Sequence, residues 1–257
     1  MSLNSELATS DGKIGMYLSG EGDRPLPGIV LLHEIFGVNN AMELAADDFA
    51  GAGYVVVAPD LYHRLAPGTA LSYQPADRPR ALGLWAKLRD DDATKDIAAV
   101  QNWLRAHPSC NGRVALLGFC LGGKLAVLAA AREAPHCVIS FYPVQLETHV
   151  ADIGRVACPI QVHLGENDTH VPPVPREIVR RTVCARAENQ FLIYPGAEHG
   201  FYNSVRTAGY HRLAAAQARA ASLRFLEHQL GDNPIPSDAS KRESRAAPRS
   251  TGAKRGR

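Results

Sequence analysis

The sequence predicts a single α/β domain built on a mostly parallel, doubly wound sheet with helices on both faces. Three observations carry that expectation. Short apolar, β-branched runs alternate with stretches of helical periodicity. The runs are continuous rather than alternating, the pattern of strands buried on both faces. No repeat or linker interrupts the order before Leu230.

Taken in order, the expected strands are "GIVLL" (28–32), "YVVVAP" (54–59), "RVALLG" (113–118), "CVISFY" (137–142), "IQVHLG" (160–165) and "QFLIYP" (190–195). Helical patterns fall between them at about 41–51, 93–106, 123–133, 175–187 and 207–230. In the last of these, Leu213, Ala216, Ala220, Leu223 and Leu230 recur near helical spacing. The longest apolar stretch, 114–131, is broken by Gly118, Gly122, Gly123 and Lys124, so it reads as strand, turn and helix rather than a membrane span.

The opening "MSLNSELATSDGKIG" has neither the basic nor the apolar region of a secretory signal. Five cysteines, an odd number without short metal-type spacing, point to a reduced cytoplasmic protein without zinc. From Gly231 onward seven Lys/Arg face three acids, a net +4, which leaves residues 1–230 near −2. That tail (231–257) is rich in Pro, Ser, Gly and Ala and is expected to be disordered, appended to a catalytic domain at 1–230. The mildly acidic body gives no support for a specific nucleic-acid partner.

Functional groups in such a sheet sit just past the carboxyl ends of strands. Four polar features fall there: Glu34 in "HEIFGVNN", Cys120 in "GFCLGG", Asp168 in "ENDTHVP" and His199 in "GAEHGF". The chain order nucleophile, acid, histidine is that of α/β hydrolases, and Gly118-x-Cys120-x-Gly122 is a nucleophile elbow with sulfur in place of oxygen. A thiol needs a base or an electropositive site to become the reactive thiolate. His199 supplies the base and Asp168 orients it. The backbone N–H of Leu121, with that of Ile35 from the loop after the first strand, is expected to form the oxyanion hole. A lone buried Cys is ordinarily a small hydrophobe, as the other four cysteines are read, and His33, His63, His163 and His170 are read as ordinary histidines. An ordered set, with each member at a strand end, is different.

"HEIFGVN", "PDLYHRLAPGTAL", "GFCLGG", "GENDTHVP" and "EHGF" together resemble the dienelactone hydrolase (carboxymethylenebutenolidase) family, from about residue 10 to 230. The resemblance implies the α/β hydrolase fold and cofactor-free hydrolysis of dienelactone, a small anionic lactone, to maleylacetate in aromatic-compound degradation. It implies a triad of Cys120, Asp168 and His199, with Glu34 holding the resting thiol and moving when substrate binds. Arginines should meet the substrate carboxylate, because a guanidinium forks onto it with two charge-assisted hydrogen bonds. By resemblance the first is Arg78, with Arg80 the alternative. The second family arginine lies four residues after the catalytic histidine; here that position is Asn203, and Arg206 follows three residues later. Phe36, Trp85 and Tyr142 are expected to wall the pocket.

The expected protein is thus a monomeric cytoplasmic cysteine hydrolase of a small molecule, independent of metal and membrane. One rival is another small ester or thioester on the same residues, suggested by Asn203. A rival of a different class is a non-catalytic redox-sensing thiol at Cys120. His199 and Asp168 count against the sensor, which needs no ordered base.

Overall fold

In the computed structural model the described residues are 3–22 and 24–231, so the tail expected from 231 lies, Gly231 apart, outside them. Eight strands form one sheet: β1 (Ser5–Thr9), β2 (Gly12–Ser19), β3 (Leu26–Leu32), β4 (Val55–Pro59), β5 (Cys110–Phe119), β6 (Cys137–Phe141), β7 (Ile160–Gly165) and β8 (Gln190–Tyr194). Their spatial order is β1-β2-β4-β3-β5-β6-β7-β8. β1 and β2 run antiparallel to each other, and β2 antiparallel to β4; every other pairing is parallel. Every residue of β4, β6 and β7 is buried, so both faces of the central sheet are covered.

The covering helices are α1 (Asn40–Gly51), α2 (Arg78–Lys87), α3 (Asp90–Ala106), α4 (Leu121–Ala130), α5 (Val150–Arg155), α6 (Pro173–Val183) and α7 (Arg212–Leu230). Asn39 caps α1, its side chain accepting from the N–H groups of Ala41 and Met42. α3 begins at Asp90, earlier than the apolar periodicity suggests, because Asp90, Asp91 and Asp92 in its first turn complement the helix dipole. α7 begins later, at Arg212. The chain before it turns through Gly209 at φ 88°, and His211 caps the helix by accepting from the N–H of Ala214.

Three features depart from the sequence expectation. The β1–β2 hairpin was not anticipated, although Ile14, Met16 and Leu18 alternate inward as a half-buried strand should. β8 is not buried on both faces: it pairs only with β7, and Ile193 is exposed at that edge. α2 carries one buried residue, Ala81, and so lacks the apolar stripe by which a helix is read. No helix of the described residues is long and apolar enough to cross a membrane.

Candidate active site

β5 ends at Phe119 and α4 starts at Leu121, so Cys120 alone makes the turn. It does so at φ 55°, ψ −113°, a strained conformation for a residue with a Cβ and one that concentrates at functional sites. The flanking glycines explain themselves sterically. A Cβ on Gly118 would lie 2.1 Å from the Gly122 carbonyl oxygen, and one on Gly122 would lie 2.3 Å from that of Leu32. The elbow is pinned by the N–H of Cys120 donating to the Phe141 carbonyl at 2.9 Å. Leu121 is the first residue of α4, where a backbone N–H has no intrahelical acceptor and is available to an anion.

Asp168 follows β7 and His199 follows β8. His199 Nδ1–H donates to Asp168 Oδ2 at 2.9 Å, while Asp168 Oδ1 accepts from the N–H groups of His170 (2.8 Å) and Val171 (3.3 Å). The carboxylate is therefore fixed by its own loop before it orients the imidazole. Burial opposes the charged imidazolium, but Cys120 beside it and the hydrogen bonds to Asp168 and Cys120 prevail and push the His199 pKa up to about 10. Once the thiol proton has left, the arrangement can hold the thiolate beside the imidazolium, which is the state a sulfur nucleophile requires.

Glu34 lies in the loop after β3, and that loop is tied to residues 60–72. His33 Nδ1–H donates to the Glu34 carbonyl at 2.5 Å, and its Nε2 accepts from the N–H of Leu61 at 3.2 Å. Both bonds require a neutral ring, and burial lowers the His33 pKa accordingly. Tyr62 donates its hydroxyl to the Ile35 carbonyl at 3.0 Å, and Asn39 Nδ2 donates to the Leu71 carbonyl at 2.8 Å. This lacing is why "HEIFGVN" and "PDLYHRLAPGTAL" meet in space. The Glu34 carboxylate is buried; its Oε2 accepts from Asn203 Nδ2 at 3.3 Å, and its Oε1 has no partner. The Tyr73 and Tyr142 hydroxyls are likewise buried without partners, and burial followed by the charge of Glu34 raises both phenol pKa values.

Tyr142, at φ 36°, sets its ring 4.9 Å from that of His199. Phe36 is half-buried, its ring 4.6 Å from that of Tyr73. Trp85, with Leu82, Lys124 and Gln145, borders a cavity of about 590 Å³. There α2 turns its Trp85 face toward the start of α3 and the partly buried Lys124–Asp90 ion pair. Of the two candidate arginines, Arg78 acts electrostatically on His170 beside the site, whereas Arg80 acts on Asp77 at the start of α2. Arg206 lies against Gly200, where a Cβ would sit 2.2 Å from its Nη1, and 5.7 Å from the centre of the Tyr73 ring. Tyr73 carried no signal in the sequence, since it sits in a short polar loop without periodicity.

A model of the dienelactone hydrolase family matches residues 14–230. The carboxymethylenebutenolidase of Pseudomonas putida is 36% identical over 213 residues, covering 82% of this chain and 90% of that protein. Carboxymethylenebutenolidase 1 of Cupriavidus pinatubonensis is 33% identical over 218 residues, covering 84% and 92%. Among solved structures, a putative dienelactone hydrolase from Klebsiella pneumoniae superposes with a TM-score of 0.75 at 24% identity, over 86% of this chain and 96% of that one, and speaks for the fold alone.

Proposed function

The chain belongs to the dienelactone hydrolase family and is a lactone or ester hydrolase, and we propose that it uses Cys120 to open dienelactone to maleylacetate during the breakdown of aromatic compounds. The observation that carries this reading is His199, held between Asp168 and a cysteine on a strained elbow. Arg78 and Arg206 draw the substrate carboxylate in, and the incoming charge displaces Glu34 toward the sulfur, where it takes the thiol proton. The thiolate attacks the lactone carbonyl. Its oxygen becomes an anion held by the N–H groups of Leu121 and Ile35. Collapse breaks the ring C–O bond and leaves a thioester; the departing enolate takes the proton that Glu34 accepted from the thiol and becomes the ketone. Water, with His199 as base, then adds to the thioester, the C–S bond breaks, and the sulfur leaves as thiolate to be reprotonated.

A second reading, another small ester or thioester on the same residues, is favoured by one observation: Asn203 stands where the family resemblance implies an arginine and hydrogen-bonds Glu34 instead. Purified protein assayed on dienelactone and on uncharged aryl esters separates the two. Cys120→Ala should abolish turnover of either substrate, while Cys110→Ala, Cys158→Ala and Cys184→Ala should remain active. Wild-type turnover by Cys120→Ala would remove the proposed mechanism.

A further inference from the structure

His170 stands at the rim of the site, and the reaction as derived above does not use it. Its backbone N–H helps fix Asp168, its Nδ1 lies 3.8 Å from Asp168 Oδ1, and its ring centre lies 4.3 Å from that of His199 at 33°. The side chain is nevertheless 46% exposed, so a ligand entering the site meets it. The charged groups bearing on it are Asp168 on its own loop, His199 and Arg206 from the connection between β8 and α7, and Arg78 from α2. Arginines elsewhere on the body, such as Arg64, Arg105, Arg132 and Arg219, hold carboxylates. Among the described residues Arg78 and Arg206 hold none within 4.0 Å.

Two kinds of ligand compete for such a place. Asp168, His170 and His199 each bring one donor atom to within 4.8 Å of the others, a spacing open to a divalent cation. Yet Asp168 already accepts from His199, His170 and Val171, and two unpaired guanidinium groups act on the same point. That field repels a cation and attracts an anion.

We infer that His170 is the third member of an anion-binding mouth, with Arg78 and Arg206, and that it makes recognition of the substrate carboxylate dependent on pH. The inference rests on the anionic-lactone reading above and adds to it a specificity residue. The direction follows from the charges. In the free enzyme, burial first and then His199, Arg78 and Arg206 hold the His170 pKa below the usual histidine range, so its ring is neutral near neutrality. A carboxylate lying between the guanidinium groups offsets their repulsion and favours the protonated ring. Binding of an anion therefore takes up a proton, and its KM must fall as the pH falls. An uncharged analogue has no such coupling.

The test compares dienelactone with its methyl ester, following ring opening of each between about pH 5 and pH 8, a range that spans histidine titration. The ratio of the two KM values cancels whatever the Cys120–His199 pair contributes to both. In the wild type the ratio of anionic to uncharged KM should fall by roughly fivefold from the alkaline to the acid end, a modest effect expected of a half-exposed charge. In His170→Phe, which keeps a ring against His199, and in His170→Gln, which keeps a polar group, the ratio should be flat. A ratio that is flat in the wild type while dienelactone is still preferred overturns this inference alone, as does an unchanged slope in both variants. No preference for dienelactone over its methyl ester at any pH overturns the anionic-lactone reading as well.

Discussion

Replacing Asp168 by Asn changes one oxygen of a side chain that the fold has removed entirely from solvent. The amide oxygen of Asn can still accept the N–H groups of His170 and Val171, now at 2.8 and 3.3 Å, so the loop keeps its anchor. The amide NH₂ then faces His199 Nδ1, which at present donates to Asp168 across 2.9 Å. Two donors cannot share that line, and the imidazole relieves the conflict by moving its proton to Nε2, the nitrogen needed for proton transfer at Cys120. A base in the wrong tautomer, without a carboxylate to stabilise its cation, costs about four orders of magnitude in kcat, or about 5.5 kcal/mol. The fold loses one charged hydrogen bond, about 1.5–3 kcal/mol. At roughly 2–4 °C per kcal/mol for a domain of this size, Tm drops by several degrees while the protein stays folded at 25 °C. Ring opening of dienelactone and calorimetry on the same preparation report the two effects separately. A variant that keeps more than about a tenth of the wild-type kcat would refute the assignment of Asp168 as the orienting group.

Glu34→Gln keeps the shape and the Asn203 contact but removes the proton acceptor; its rate on dienelactone should fall by about a hundredfold, with a smaller loss on an uncharged aryl ester. Equal rates for wild type and variant on both substrates would sink the switch. Arg78→Gln should raise KM for dienelactone about tenfold, the lower end for a charged hydrogen bond lost from an exposed residue, whereas Arg80→Gln should leave it unchanged; the reverse order in steady-state kinetics would exchange their roles. His199 has a folded pKa raised from 6.5 to about 10, so its contribution to stability is fully present below pH 6.5 and is lost as pH rises through about 10. Denaturant titrations across that interval should show the wild type losing stability that Cys120→Ala, which lacks the sulfur beside the imidazole, does not lose; parallel curves would contradict this.

The central strands and the elbow were legible because each is written in local chemistry. Buried parallel strands must be continuously apolar, and a turn that brings backbone within 2.1 Å of a would-be Cβ must be glycine. The positions of Asp168 and His199 were legible at one remove, since strand ends in a parallel sheet converge on one edge. What the sequence hides is what depends on the relative placement of elements. Tyr73 reaches Glu34 only because Asn39 and Gly37 lace its loop to the one after β3. The choice between Arg78 and Arg80 depends on the phase of α2, whose single buried residue gives no periodicity to read. The direction of Trp85 depends on the same phase, which brings it to the cavity beside Lys124 and Gln145. β8 reads as a core strand by composition alone, and only the sheet order reveals that it is an edge.

The substitution pattern around residues 200–206 has a consequence for how the site divides its charges. Asn203 holds Glu34 by one long hydrogen bond of 3.3 Å from an uncharged donor, where a guanidinium at that position could fork onto the carboxylate with two bonds and its own charge. Glu34 is therefore tethered weakly, with one oxygen already unpartnered, and little must be given up for it to move. Arg206 lies three residues further on, and Gly200 admits it because a side chain there would collide with the guanidinium. Arg206 is stacked toward Tyr73 and is bound to no carboxylate of the described residues within 4.0 Å, as the proposed engagement of a ligand requires. If Arg206 binds the substrate carboxylate as proposed, the two tasks an arginine at 203 would combine, restraining the glutamate and binding the substrate, are split between two residues. Anion affinity and release of Glu34 can then vary independently, so substitutions at Arg206 should act on KM and substitutions at Glu34 on kcat.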